Sequence, residues 1–307
     1  MKHVNRREFL GVAGRWVALG LGAGPVLSAL ASGCGGGLTI GVGPVVIESD
    51  SVKKTAKAVA RSFKDITPEQ EYYIGRSVGA VITGDYGAYD NEKANMYMNV
   101  LGQTLARASD LPETFGGYHF LILDSEEINA LAAPGGLIFV TRGMLRCCGS
   151  EDGAAAVLAH EIGHVQLRHG LQVIRKSRIT KALSTFLGEG AKTAARGVSP
   201  MLAEAFDGAI SDVASALIYK GYSPSFEREA DIAAVTILER VGYNPNALVD
   251  ILTVIEQRLK PGDRGFGKTH PSPAGRMAAI HKRVEAYPAL KIPQARQARF
   301  RSALEGG

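Results

Sequence analysis

The chain has 307 residues, 46% of them hydrophobic and 21% charged, so it can form one large or two ordinary domains and is too apolar to be disordered throughout. Its three cysteines are too few for a disulfide-built scaffold. The net charge of +5 overstates the basicity of the body, because Lys2, Arg6, Arg7 and Arg15 stand against Glu8 alone in the first 33 residues; with no concentrated basic stripe, nucleic acid is excluded as an expected partner.

Residues 1–15 are basic and residues 16–33 carry no charge, which reads as a signal peptide with a modest apolar centre and a small-residue end. Five of those 18 uncharged residues are Gly or Pro, which argues against a membrane span. Asn5-Arg6-Arg7-Glu8-Phe9-Leu10 resembles a twin-arginine export signal, with Asn5 where Ser or Thr is usual. An ordinary secretory signal with two chance arginines is the alternative. Ala31-Ser32-Gly33-Cys34 resembles a bacterial lipobox, which would make Cys34 the lipidated first residue of the mature chain, tethered through Gly35-Gly36-Gly37. Plain cleavage near Ala31, leaving a free thiol, is the other reading. The expected location is the periplasmic side of a bacterial envelope, lipid-anchored, with the outer membrane favoured.

The expected organisation is a leader over 1–33, a tether and N-terminal segment over 34–65, one folded domain over 66–287 and a C-terminal tail over 288–307. A short strand is expected over 38–47 and a polar helix over 51–64. Thr67-Pro68-Glu69-Gln70 is a helix start with a capping box, and helices follow over 68–83 and 91–109. Tyr118–Leu123 alternates as a strand. Ile128–Ala132 and Leu137–Thr141 read as two strands joined by Pro134-Gly135-Gly136 at a sheet edge. The adjacent Cys147 and Cys148 read as small buried residues. A long helix is expected from Ser150 to about Arg175, with Glu151 and Asp152 favourable at its N-terminus. Residues 177–220 are helical but irregular, a lid or, preferred, a scaffold. Helices over 225–241, 245–259 and 272–286 complete an α+β, mainly helical fold with one small mixed sheet.

His160-Glu161-Ile162-Gly163-His164 is an HExxH sequence on the long helix. Histidines at i and i+4 share a face, with Cβ atoms roughly 5–6 Å apart, so their imidazoles can converge on one zinc ion. Glu161 can then reach the water that attacks the substrate, accept its proton and pass it to the leaving amine. A third protein ligand is needed. His169 stands nine positions after His160, about 180° around a continuous helix, and is expected to face solvent. Glu227 is the better candidate, in Ser225-Phe226-Glu227-Arg228-Glu229-Ala230-Asp231. Asp231, four positions on, faces the same way and can accept the distal N–H of a ligand histidine, whereas Glu229 points elsewhere.

HEIGH followed by Glu227-xxx-Asp231 resembles the gluzincin metallopeptidases that include the HtpX heat-shock proteases and the CAAX prenyl endopeptidases. Three other segments resemble that family: Asn129-Ala130-Leu131-Ala132-Ala133-Pro134-Gly135-Gly136, Val140-Thr141-Arg142-Gly143, and Thr269-His270-Pro271-Ser272-Pro273-Ala274-Gly275-Arg276. The resemblance covers about residues 66–287. It implies a zincin-like metallopeptidase domain with one Zn2+ per chain, in which Asn129 and the edge strand hold an extended peptide. It also implies that His270 and Arg276 stabilise the oxyanion, with His270 alternatively taking the open zinc position at rest. The mature chain has no span, unlike HtpX and the prenyl proteases, so it looks like the soluble periplasmic branch. That branch implies unfolded or misassembled envelope proteins as substrates, with the outer-membrane assembly machinery as a possible partner. A zinc-stabilised chaperone or assembly factor that binds without cutting is the rival; it needs neither an HExxH base nor oxyanion donors.

Overall fold

The computed structural model describes residues 66–173, 214–259, 265–287 and 293–304. The leader with Cys34, the elements expected over 38–64, and residues 177–213 lie outside these. Helix α1, Pro68–Tyr86, begins as its sequence dictates: the Thr67 hydroxyl accepts from Gln70 N, and the Gln70 side chain accepts from Thr67 N. Helix α2 is Glu92–Arg107, capped by Asn91. Strands β1 (His119–Leu123), β2 (Ala130–Ala133) and β3 (Leu137–Thr141) form a sheet in the order β1-β3-β2. β1 runs parallel to β3, and β2 runs antiparallel to it with Ala130 opposite Val140 and Ala132 opposite Ile138. A single turn of 3-10 helix over Pro134–Gly136 makes the β2–β3 connection, with Gly135 at φ 78° and Gly136 at φ 97°. The Arg142 turn opens into a short helix, α3, Arg142–Cys148, which local composition did not announce.

Both faces of the sheet are covered, and the strand period of two divides them. Phe120, Ile122, Ile138 and Val140 pack with α2 and with helix α4, Glu151–Gln166, in the larger core. Leu131, Ala133 and Phe139 point the other way, against Ile74, Val78 and Ile82 of α1. Helices α5 (Pro224–Val241), α6 (Asn246–Arg258), α7 (Phe266–Thr269) and α8 (Pro273–Val284) follow, with Gly242 ending α5 at φ 78°. Among the described residues no helix is long and apolar enough to cross a membrane.

The stretch expected to be a tail contains helix α9, Gln294–Leu304, and Phe300 belongs to the larger core. α9 closes over the start of α4. Arg299 Nη2 lies 2.6 Å from Glu151, Arg296 Nη1 lies 3.2 Å from Asp152, and Gln297 donates to Gly149 O. Glu151 also accepts the hydroxyls of Tyr97 and Tyr243. The N-terminus of the HExxH helix is therefore fixed by groups from three separate segments. Cys147 and Cys148 are buried free thiols, both pushed above the usual thiol range by burial, as befits packing residues.

α1 approaches the Pro134–Gly136 turn closely enough that a Cβ on Gly75 would collide with the Pro134 carbonyl oxygen. Gly75→Ala is expected to force the helix off the turn that ends β2 and to cost about 1–3 kcal/mol, read as a lower urea midpoint with unchanged m. An unchanged midpoint would show that this contact yields without cost.

Candidate metal centre

α4 is buried almost throughout, an unusual fate for a helix carrying three ionisable side chains in one turn. His160, Glu161 and His164 are 3%, 2% and 1% exposed. One turn apart, the two histidines bring their Nε2 atoms within 3.1 Å of each other. α5 packs against α4 and supplies the carboxylates. Glu227 lies 3.5 Å from His160 Nε2 and 3.4 Å from His164 Nε2, and Asp231 Oδ1 lies 2.9 Å from His160 Nδ1. From the segment after α7, His270 brings Nδ1 to 2.8 Å from Glu227 Oε2. Donor atoms of His160, His164, Glu227 and His270 all lie within 4.8 Å of one another.

The charges in this cluster are arranged for a cation. Burial alone would raise the Glu227 carboxyl, but His270 and the hydrogen bonds from His160 and His164 hold it well below the usual carboxylate range. Asp231 is lowered too: burial opposes its charge, and Arg276 and His160 outweigh burial. Burial and the Arg276 charge act against protonation of His160, yet Asp231 and Glu227 raise it to about 9. Burial outweighs the help of Glu227 at His164, which has no second carboxylate like Asp231, and its pKa falls to about 3. Burial and charge thus favour taking up an extra proton at His160 over His164. Burial pushes the Glu161 carboxyl upward, partly offset by His160 and His270, which moves it toward the range where a general base is effective.

A narrow cleft separates this cluster from the sheet edge. Ala130, Leu131 and Ala132 of β2 line one side, and Glu161, Tyr222 and His270 line the other. Asn129, just before β2, is fully buried, and its Oδ1 accepts from Thr269 Oγ1 and from Ala130 N, so it ties the edge strand to the segment carrying His270.

Two residues stand elsewhere than the sequence suggested. Arg276, expected at the oxyanion, turns its guanidinium to Asp231, with Nε 3.0 Å from Oδ2 and Nη2 2.5 Å from Oδ1. The same Nη2 lies 3.1 Å from His160 Nδ1, and Nη1 lies 3.5 Å from Glu227 Oε2. His169 is fully buried instead of facing solvent. The long helix expected to reach Arg175 breaks after Gln166, where Arg168 takes φ 53° in the left-handed region, and a new helical stretch over 169–173 swings His169 back. Its Nδ1 comes to 2.9 Å from His164 Nδ1. Tyr222 was not singled out by spacing at all. It is buried, its ring stacks on His164 with centroids 4.3 Å apart, and its hydroxyl has no hydrogen-bond partner among the described residues.

Glu227 Oε1 is buried, its nearest donor nitrogen is His164 Nε2 at a long 3.4 Å, and it has no well-formed hydrogen bond among the described residues, which provides a test of metal fit. An orphaned carboxylate oxygen beside two facing imidazole nitrogens is costly unless a cation joins them. Imidazole nitrogens with a carboxylate oxygen suit zinc. With a buried carboxylic base beside that donor set and an edge strand across the cleft, the class is that of the zinc metalloendopeptidases. Residues 92–284 match peptidase family M48, and the chain belongs to that family. Over 218 residues it is 26% identical to the beta-barrel assembly-enhancing protease of Escherichia coli, covering 70% of this chain and 44% of that protein. Identity to the putative beta-barrel assembly-enhancing protease of Vibrio cholerae is 28% over 238 residues, 74% of this chain and 46% of the relative. The mitochondrial metalloendopeptidase OMA1 of Schizosaccharomyces pombe is 25% identical over 231 residues, 72% of this chain and 63% of the relative. The chain thus spans about half the length of the bacterial relatives it matches.

Proposed function

We propose that the chain is a zinc-dependent endopeptidase of the bacterial envelope that cuts misfolded or misassembled proteins, with one zinc per chain. The observation that carries this reading is the convergence of His160, His164 and Glu227 beside the buried Glu161, at the foot of an edge strand. His160 Nε2, His164 Nε2 and a Glu227 oxygen would hold the metal. When bound, zinc supplies Lewis-acid polarisation of water and of the scissile carbonyl. Glu161 accepts the proton of the attacking water at its carboxylate and delivers it to the leaving amine. Asp231 accepts the Nδ1 proton of His160 and so keeps Nε2 free for the metal. Arg276 acts through Asp231 as a positioning residue. β2 binds the substrate backbone as an added strand, which explains tolerance of varied sequences, and Asn129 keeps that strand in register with the His270 segment. His270 has two places in this scheme: over the oxyanion during turnover, and against Glu227 in the resting arrangement.

The arginine pair and Cys34 of the leader support export and a lipid anchor, with the outer membrane as the favoured site. The names of the two bacterial relatives support misassembled outer-membrane proteins as substrates and the assembly machinery as partner. The buried base speaks for cutting over a purely chaperone-like role, because binding alone has no use for it.

Full-length protein loaded with zinc is expected to cleave unfolded casein, to lose that activity on chelation, and to regain it with zinc. Glu227→Ala is expected to purify without metal and without activity. Undiminished cleavage after chelation, or full zinc occupancy in Glu227→Ala, would overturn the reading.

A further inference from the structure

Both HExxH histidines turn Nε2 toward the metal centre, so both must carry their proton on Nδ1. The two Nδ1 atoms are held by different chemistry. His160 Nδ1 meets the carboxylate of Asp231 at 2.9 Å. His164 Nδ1 meets another imidazole, with His169 Nδ1 at 2.9 Å, and His169 Nε2 lies 3.3 Å from Glu229 Oε2. Two neutral imidazoles can share one hydrogen bond only if one of the facing nitrogens is bare. With the proton on His164 Nδ1, His169 must offer a bare Nδ1 and carry its own proton on Nε2, where the Glu229 carboxylate accepts it. The tautomer of the metal-facing ring is thereby linked to a carboxylate two hydrogen bonds away.

We propose that His169 and Glu229 are positioning residues that lock His164 in its metal-binding tautomer, the outer partners of His164 as Asp231 is of His160. This rests on the metal reading above. Three observations hold the arrangement in place. Arg168 adopts an unfavourable φ of 53° at the bend that returns His169 to the site. The His169 ring lies flat on Phe226, with centroids 4.3 Å apart and planes 4° apart, which fixes its rotation. Glu227 and Glu229 lie two positions apart on α5, so the helix that offers a ligand to the metal also offers the terminus of the second chain of hydrogen bonds. The Glu229 side chain is 52% exposed, so this chain ends at the surface, whereas the Asp231 side chain is fully buried.

The test measures zinc affinity of the full-length chain by competition with a chromophoric chelator, alongside the visible absorption of the cobalt-substituted protein and the thermal midpoint without metal. His169→Phe keeps a ring on Phe226 but accepts no hydrogen bond; zinc affinity should fall roughly 10–100-fold. Glu229→Lys sets a donor against His169 Nε2, which drives the His169 proton onto Nδ1 against that of His164, and should weaken zinc as strongly from an exposed position. Glu229→Gln can still accept and should bind zinc as the native chain does. The metal-free midpoint of Glu229→Lys should match the native one, and the cobalt spectra of His169→Phe and Glu229→Lys should change alike. Native zinc affinity in both of those variants would overturn the relay. Failure of the native chain itself to bind zinc would overturn the metal reading, and the relay with it.

Discussion

Replacing Glu161 by Gln is expected to abolish peptide hydrolysis while zinc stays bound. Glu161 is 2% exposed, lines the cleft opposite β2, and makes no part of the four-residue donor cluster. The amide has nearly the shape of the carboxylate but cannot take a proton from water, so binding survives and proton transfer does not. General-base catalysis of this kind contributes about 10²–10⁴-fold, which sets the expected fall in kcat on unfolded casein. Zinc content measured on the same preparation separates loss of the base from loss of the metal. A kcat within a factor of about three of the native value, well inside that range, would mean that another group deprotonates the water. The raised carboxyl of Glu161 bears on the pH profile: as pH falls through its pKa the base is protonated, so the acid limb of the rate should lie above the ordinary glutamate range.

Arg276→Met should damage stability more than any other substitution of a polar residue around the centre. The guanidinium pairs with both oxygens of Asp231, which is fully buried, and removing one partner of a buried pair typically costs about 3–5 kcal/mol. The carboxyl of Asp231 would then rise, and its hold on His160 Nδ1 would weaken, so zinc affinity should fall with stability. In the native protein the depressed Asp231 carboxyl contributes stability that is present above its ordinary value of 3.8 and is lost only as pH falls through the lower folded value. In Arg276→Met that contribution should be gone, with acid unfolding beginning at higher pH. Arg276→Lys restores charge but cannot span both oxygens, and should recover part of the stability. An oxyanion donor would behave differently, lowering kcat with the urea midpoint and the zinc affinity unchanged; that result would return Arg276 to the cleft.

Much of the site was legible because its key residues lie within single helices. Four-residue spacing aligns His160 with His164 and Glu227 with Asp231 whatever else the chain does, provided each helix is unbroken over that turn. The capping box at Thr67 and Gln70, and the alternation of β1, are local in the same sense. His169 failed that test. Helical angles propagate only through continuous helix, and one left-handed residue at Arg168 resets the direction of everything after it. Tyr222 lies between two helical segments, where no period applies. α9 lies in the stretch expected to be a tail; its sequence is polar overall, and the partners of Arg296 and Arg299 are acidic residues far upstream in the chain.

The sequence by itself determined the chemistry: which side chains can bind metal and which can move a proton. Those follow from residue type and short-range spacing, which the backbone geometry of a helix or strand makes almost independent of context. Only the tertiary structure decided what stands behind them. That Arg276 pairs with Asp231, that His169 backs His164, and that α9 anchors the start of the HExxH helix all depend on contacts between segments distant in the chain. Their distances are set by the packing of whole helices and by one backbone bend, and no local pattern encodes them.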